Sequence, residues 1–237
     1  IKDLKHGKIK LVSARIIIDN IDLNNWNDFR NRLKNVMGLS SAILMMKINS
    51  DFNIIKKSMD YFINTCSFET FRVTTKRHFK GFKKTSLETN IELGSYIQNK
   101  TNKKVKLSGA ELDIIIEVLK DKTYIGYDKI IGYGGLPSGT QEKALSLLSS
   151  GIDSPVASFE MIKRGVNVEY VHFHSYPAIS KQSIDNTKEI VKILCKYGLN
   201  ATLYVVPILP IQEKIMEFVR DKFWVIFFRR AMVKLSS

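Results

Sequence analysis

The chain has 237 residues, of which 44% are hydrophobic and 25% charged, enough to build more than one domain with a real core. Its formal net charge of +14 excludes a chain that is neutral at physiological pH and points to a polyanionic partner, with a solvated basic surface as the alternative. Residues 1–138 hold 24 Lys and Arg against 14 Asp and Glu, whereas 139–237 hold 13 against 9, so a nucleic acid is expected on the first half.

In chain order, Ile9 to Ile18 reads as a strand through Val12, Ile16 and Ile18, and Trp26, Phe29, Leu33 and Val36 fall at helical spacing up to Gly38. Ser41 to Ile48 reads as a further strand, and this β-α-β remainder is expected to be part of a ferredoxin-like domain. Asp51 suits the cap of a helix running through Phe62. Thr70 to Thr75 alternates as a strand, and Ser86 to Ile97 reads as a second helix. Leu112 to Val118 and Thr123 to Tyr127 read as paired strands joined by a Lys-Asp-Lys turn. Together these form a compact α/β module. Between its first strand and second helix, Lys76, Arg77, Lys80, Lys83 and Lys84 alternate with Phe79 and Phe82. Cations with interleaved aromatics suit phosphate contacts and stacking on exposed bases; a solvated loop with its phenylalanines turned inward is the alternative.

Gly134-Gly135-Leu136-Pro137-Ser138-Gly139-Thr140 is turn-rich and suits a connection between domains. The last hundred residues then alternate strand and helix like a parallel nucleotide-binding sheet. Leu145, Leu147 and Leu148 read as a buried strand; Val166–His172 and Ala201–Val206 read as two more. Ser180–Tyr197 and Ile211–Lys234 read as helices. Phe218 to Met232 is aromatic-rich, but Arg220, Asp221, Lys222, Arg229 and Arg230 interrupt it, so no membrane span is expected. The start of the chain shows no signal peptide. Cys66 and Cys195 show no metal or redox spacing, which fits a reducing cytoplasm and small buried apolar roles.

Ser149 to Ser154 turns the first of these strands onto a helix, with Ser154 in the position of an N-cap and Pro155 at the first helical position. Amides at such a corner have no intrahelical acceptor and favour a bound oxyanion. Asp153 beside a phosphate calls for a mediating cation, for which magnesium is the natural choice. The loop has neither the lysine of G-x-x-x-x-G-K-[ST] nor the spacing of G-x-G-x-x-G. It resembles instead the S-G-G-x-D-S loop of ATP pyrophosphatases, with Ser150 where that pattern has glycine. If that position needs positive φ, the turn carries strain of about 1 kcal/mol, at a cost in nucleotide affinity.

The order of the ferredoxin-like piece, the module with Lys76-Arg77 and Leu87-Glu88 to Gly94-Ser95-Tyr96-Ile97, the segment Gly134 to Thr140 and the loop resembles the tRNA 4-thiouridine synthetase family. The resemblance implies an α/β fold: a partial ferredoxin-like domain at 1–50, a THUMP RNA-binding module at 51–130, a linker at 131–141 and an incomplete doubly wound PP-loop domain at 142–237, truncated at both ends. It implies ATP and Mg2+, with Leu147, Leu148, His172 and Phe173 around the adenosine. Ser149, Ser150, Gly151 and Ile152 would bind the nucleotide, Ser149, Gly151, Asp153 and Ser154 match the pyrophosphate loop, Asp153 and Ser154 would serve catalysis by positioning the phosphates and magnesium, and Arg229 would contact the nucleotide. It implies tRNA as partner and a persulfide donor of the cysteine desulfurase kind, with a homodimer and a role in thiamine biosynthesis left open. The activity implied is adenylation of uridine 8 for conversion to 4-thiouridine. Neither Cys66 nor Cys195 stands where the family carries its sulfur. A tRNA binder with a decayed loop, or another adenylating tRNA-modifying enzyme, are the alternatives.

Overall fold

The computed structural model describes residues 3–12 and 15–237, which divide into two compact units: Ala42–Ile130, and Ile1–Ser41 with Ile131–Ser237. In the N-terminal segment, β1 (Ile9–Val12) pairs antiparallel with β2 (Arg15–Ile18), Val12 opposite Arg15. The stretch expected as one strand is thus two short ones, with Ser13 and Ala14 outside the described residues. Period-two alternation cannot separate a long strand from a hairpin that lacks a Gly or Asn turn signal. The helix α1 (Trp26–Lys34) follows and buries Phe29 completely.

The middle unit is a five-stranded sheet with strand order β3-β7-β6-β4-β5. Its strands are β3 (Ser41–Asn49), β4 (Thr70–Arg77), β5 (Lys104–Val105), β6 (Leu112–Val118) and β7 (Lys122–Ile131). Residues 41–49, expected with the N-terminal domain, therefore belong to this sheet. The apolar content of the segment identified a strand but not its partner, because pairing across some 80 residues leaves no local signal.

Two helices, α2 (Phe52–Thr65) and α3 (Ser86–Thr101), enclose the core. The Asp51 carboxylate starts α2 by accepting from the amides of Asn53 at 2.9 Å and Ile54 at 3.1 Å. Thr85 and Glu88 cap each other reciprocally at the start of α3, and Asn102 ends it in the left-handed region at φ 55°. Ile55, Met59 and Phe62 of α2 and Leu93 and Ile97 of α3 pack on Phe71, Ile114, Ile116, Val118 and Ile125 of the strands. Each such side chain contributes about 1.5–3 kcal/mol of burial, so truncating Phe71 or Leu93 to alanine would cost about 3 kcal/mol or more. The register places Arg72 beside Asp113, and the two form an ion pair that Thr74 joins by donating to Asp113 at 2.8 Å.

In the remaining unit, β8 (Lys143–Leu147), β9 (Asn167–His174) and β10 (Leu203–Pro207) form a parallel sheet in the order β10-β9-β8. The helix α4 (Asp153–Lys163) joins β8 to β9, and α5 (Gln182–Leu194) joins β9 to β10. Leu148, Ile162, Val168, Tyr170, Val191 and Leu194 make the core, with Met37 from the N-terminal segment inserted among them. Leu145 and Leu147, expected to be buried, are 38% and 40% exposed. They share the strand face opposite Ser146, and the helices α4 and α5 fill only the other side.

The stretch expected as one helix over Ile211–Lys234 is two, α6 (Leu209–Phe218) and α7 (Trp224–Ser236). They separate where Val219 becomes extended and its carbonyl accepts from Trp224 Nε1 at 2.8 Å. Neither helix buries a residue. Among the described residues no helix is long and apolar enough to cross a membrane.

The connecting segment is pinned rather than loose. Leu136 N donates to Lys163 O at 2.9 Å, and Gly139 N and Gln141 N both donate to Gly165 O at 3.0 Å. Gly135, at φ 77°, lies so close to the Lys163 carbonyl that a Cβ there would collide with it.

Candidate functional site

The three parallel strands bring Leu148, His172 to His174 and Pro207 to one end of the sheet, the carboxyl end at which open α/β sheets bind ligands. Leu148 is buried and its amide donates to Val171 O at 2.8 Å, which sets the starting point of the loop. Ser149, Ser150, Gly151, Ile152 and Asp153 are all exposed, Ile152 to 79%.

The loop is latched by hydroxyls. Ser149 N donates to Ser154 Oγ at 2.9 Å, the two hydroxyls lie 3.0 Å apart, and Gly151 N donates to Ser149 Oγ at 3.3 Å. Ser154 is therefore not the N-cap expected from Ser-Pro. Ile152 occupies the cap position without a side-chain hydrogen bond, and helical backbone begins at Asp153. The serine hydroxyl gains more by reaching back to an amide of the strand end than by capping its own helix, because Ser149 N would otherwise lack an acceptor. With Ser149 N and Gly151 N engaged, the amides of Ser150, Ile152, Asp153 and Ser154 have no acceptor among the described residues. Four donors at the positive end of α4 make an oxyanion cradle.

Ser150 is absent from the residues with positive φ, which among the described non-glycine residues are Asn20 and Asn102. The strain expected from a serine at the family's glycine position does not arise, nor does its cost to nucleotide binding.

Behind the loop, Ser158 is buried and donates to Ser154 O at 2.8 Å, while its Oγ lies 2.9 Å from Ser146 Oγ. This hydroxyl chain ties β8 to α4 beneath the cradle. Ser158 was detectable only as the residue one helical turn after Ser154.

His172 is 5% exposed, and its Nδ1 donates to Leu148 O at 2.9 Å. Thr187 Oγ1, fully buried on α5, lies 3.4 Å from the same nitrogen and donates to Ser183 O. His172 Nε2 is buried with no partner among the described residues. Such an orphan calls for a ligand or water donor. The signal for Thr187 was a polar residue in the inward stripe formed with Val191 and Leu194. Phe173 follows His172 on β9, half-buried.

Arg229 lies exposed on α7, without a hydrogen bond or ion pair among the described residues. Nothing brings it against the loop. No group of three or more His, Cys, Asp or Glu capable of holding a metal occurs among the described residues, so Asp153 is the one carboxylate the loop offers. That donor set fits magnesium, which takes one or two carboxylates and fills the rest of its shell with phosphate oxygens and water.

In the middle unit the basic segment splits into two roles. Lys76, Lys80 and Lys83 are exposed and form no ion pair among the described residues. Arg77 closes its own loop by donating to Phe82 O at 3.3 Å and Lys84 O at 3.4 Å. Lys84 pairs with Glu92 at 2.6 Å, which holds the Glu92 carboxyl below its usual range, and lies 4.6 Å from the centroid of the Phe52 ring. Phe82 is buried in the core and Phe79 packs against it. Of the two orientations left open for these rings the inward one is found, since the apolar gain of joining the core exceeds what an exposed loop ring gains.

Comparison with known proteins fits this geometry. The family model described as thiamine biosynthesis protein (ThiI) matches residues 139–237, and the THUMP domain model matches residues 50–128. The chain belongs to the THUMP-containing ThiI family. A probable tRNA sulfurtransferase of Alkaliphilus oremlandii is 36% identical over 250 residues, covering 100% of this chain and 63% of that protein. One of Clostridium acetobutylicum is 39% identical over 225 residues, covering 94% and 58%. A crystal structure of a 4-thiouridine synthetase–RNA complex with bound ATP superposes with a TM-score of 0.83 at 32% identity, covering 97% of this ThiI-family chain and 60% of that one. The chain thus spans about three fifths of the length of these relatives.

Proposed function

We propose that this chain supplies the ATP-binding and tRNA-binding parts of a tRNA sulfurtransferase. ATP adenylates O4 of uridine 8 with loss of pyrophosphate, the terminal sulfur of a persulfide carried by a cysteine desulfurase-like partner displaces AMP from C4, and a thiol then cleaves the resulting mixed disulfide, leaving 4-thiouridine and a new disulfide. The observation that carries this proposal is the latched loop with four amides free of acceptors beneath the carboxyl end of the sheet. A likeness to a synthetase whose structure holds both RNA and ATP supports it.

Within this reaction the amides of Ser150, Ile152, Asp153 and Ser154 hold phosphate oxygens, and the latch keeps them aimed before the nucleotide arrives. Asp153 would hold Mg2+ against those oxygens; the ion supplies charge neutralisation on the leaving pyrophosphate. Leu147, Leu148, His172 and Phe173 line the adenosine. Arg229, exposed on α7, is assigned to the nucleotide by the family resemblance alone. Lys76, Lys80 and Lys83 neutralise tRNA phosphates, while Arg77 and Lys84 keep their loop in shape. Cys66 and Cys195 are half-buried and pack against separate cores, and neither stands where the resemblance places the sulfur carrier.

The domain division that goes with this function is a ferredoxin-like N-terminal piece, a THUMP module ending near residue 130, a pinned linker and the PP-loop sheet from residue 142. The setting is cytoplasmic. ATP–pyrophosphate exchange measured with and without tRNA tests the proposal: tRNA-dependent exchange is expected. ATP binding without exchange would leave a nucleotide-dependent tRNA binder, and no ATP saturation would leave a tRNA binder alone.

A further inference from the structure

A uridine inside tRNA cannot reach a nucleotide held at Ser149 to Ser154 while it stays stacked, so its base must be drawn out and held beside the loop. Extruded bases are held by stacking on aromatic faces and by cations near their phosphates. Phe79 and Phe82 are turned into the core of the middle unit and cannot serve.

The segment after β9 can. It leaves the sheet at the same end as the nucleotide loop, because β8 and β9 are adjacent and parallel. Residues 176–182 are all exposed, and Tyr176 is 45% exposed. Lys181 Nζ stands 4.9 Å from the centroid of its ring.

This segment is held in shape from several sides. Tyr176 N donates to His174 Nδ1 at 3.2 Å, and Ile179 N donates to Ser175 O at 3.1 Å. Ser175 Oγ donates to Gln212 Oε1 on α6 at 2.5 Å, while His174 O accepts from Ile208 N at 2.9 Å. A well-anchored segment that still exposes a large ring loses little order when a flat ligand settles on it.

We propose that Tyr176, backed by Lys181, is the platform on which the target uracil stacks beside the bound ATP, with the Lys181 ammonium pairing with the phosphate of the extruded nucleotide. This deepens the sulfurtransferase proposal and rests on it. Tyr176 is a positioning residue, since it orients O4 of the base towards the α-phosphate and takes no part in the bond changes.

The test is photo-cross-linking of the chain to tRNA carrying 4-thiouridine at position eight, in the presence of a non-hydrolysable ATP analogue, with the site mapped by mass spectrometry and tRNA retention followed by filter binding. The cross-link is expected on Tyr176 or within two residues of it. Tyr176→Ala should lower the yield about fivefold or more at an unchanged thermal midpoint, Tyr176→Phe should keep it, and Lys181→Ala should lower it less than Tyr176→Ala. Cross-links confined to other residues with tRNA still retained, or an unchanged yield in Tyr176→Ala, overturn the platform alone. Failure to retain tRNA overturns the sulfurtransferase proposal together with it.

Discussion

The imidazole of His172 on β9 donates from Nδ1 to the carbonyl oxygen of Leu148, 2.9 Å away and one residue past the end of the neighbouring strand β8. That bond adds a side-chain rung at Leu148, beside the backbone bond from Leu148 N to Val171 O. It fixes the direction in which the chain leaves β8 and leaves Nε2 buried without a partner among the described residues.

Replacing His172 by alanine removes a buried side chain and leaves the Leu148 carbonyl unpaired. A loss of about 2–4 kcal/mol in urea unfolding is expected, with weaker ATP binding in calorimetry. Thr187→Val keeps the shape and should cost about 1 kcal/mol, since Thr187 Oγ1 lies at 3.4 Å and donates elsewhere.

Ser154→Ala unlatches the loop while touching no core residue. Stability should fall by about 1 kcal/mol or less, but ATP affinity should fall about tenfold as Ser149 N loses its acceptor and the amides lose their aim. Equal ATP affinity in wild type and variant would show that the latch does not shape the cradle.

Ser150→Gly tests the loop backbone. Because Ser150 does not occupy the left-handed region, glycine relieves nothing and adds freedom to the unfolded chain. The thermal midpoint should fall slightly or stay level; a rise would mean that strain is present.

How much could be read from residues alone differs by element. The starts of α2 and α3 were open to reading because Asp51 and the Thr85–Glu88 pair satisfy amides within four residues of themselves. The β6–β7 pair and the phosphate corner are likewise local. The partner of β3 and the open face carrying Leu145 and Leu147 depend on groups distant in sequence. The inward turn of Phe79 and Phe82 was undecided, since a basic loop with two phenylalanines has the same composition whichever way the rings point. Ser154 misled because a Ser-Pro pair signals a cap, whereas a nearer unpaired amide claimed its hydroxyl.

Tyr170 gives a pH signature. It is 1% exposed, and burial pushes its phenol up to about 12 from an ordinary value of 10.0. The unfolded chain ionises first, so the stability Tyr170 contributes is present below pH 10 and is lost as pH rises from 10 towards 12. Tyr170→Phe should flatten that part of the alkaline unfolding curve relative to wild type, followed by tyrosinate absorbance and circular dichroism.

The basic loop should show itself in salt dependence. Substituting Lys76, Lys80 and Lys83 by alanine should weaken tRNA binding and reduce the slope of log K against log salt by about 1 per lysine. Arg77→Ala should act instead through loss of loop order, lowering the thermal midpoint. A slope unchanged in the triple variant would place the tRNA elsewhere.

The most direct measurement is the amide spectrum of the 15N-labelled chain titrated with a non-hydrolysable ATP analogue and magnesium. The largest shifts are expected at Ser150, Ile152, Asp153 and Ser154, with a second set at the His172 and Phe173 amides. Shifts centred on other segments, with those four amides unmoved at saturation, would contradict phosphate binding at the β8–α4 corner.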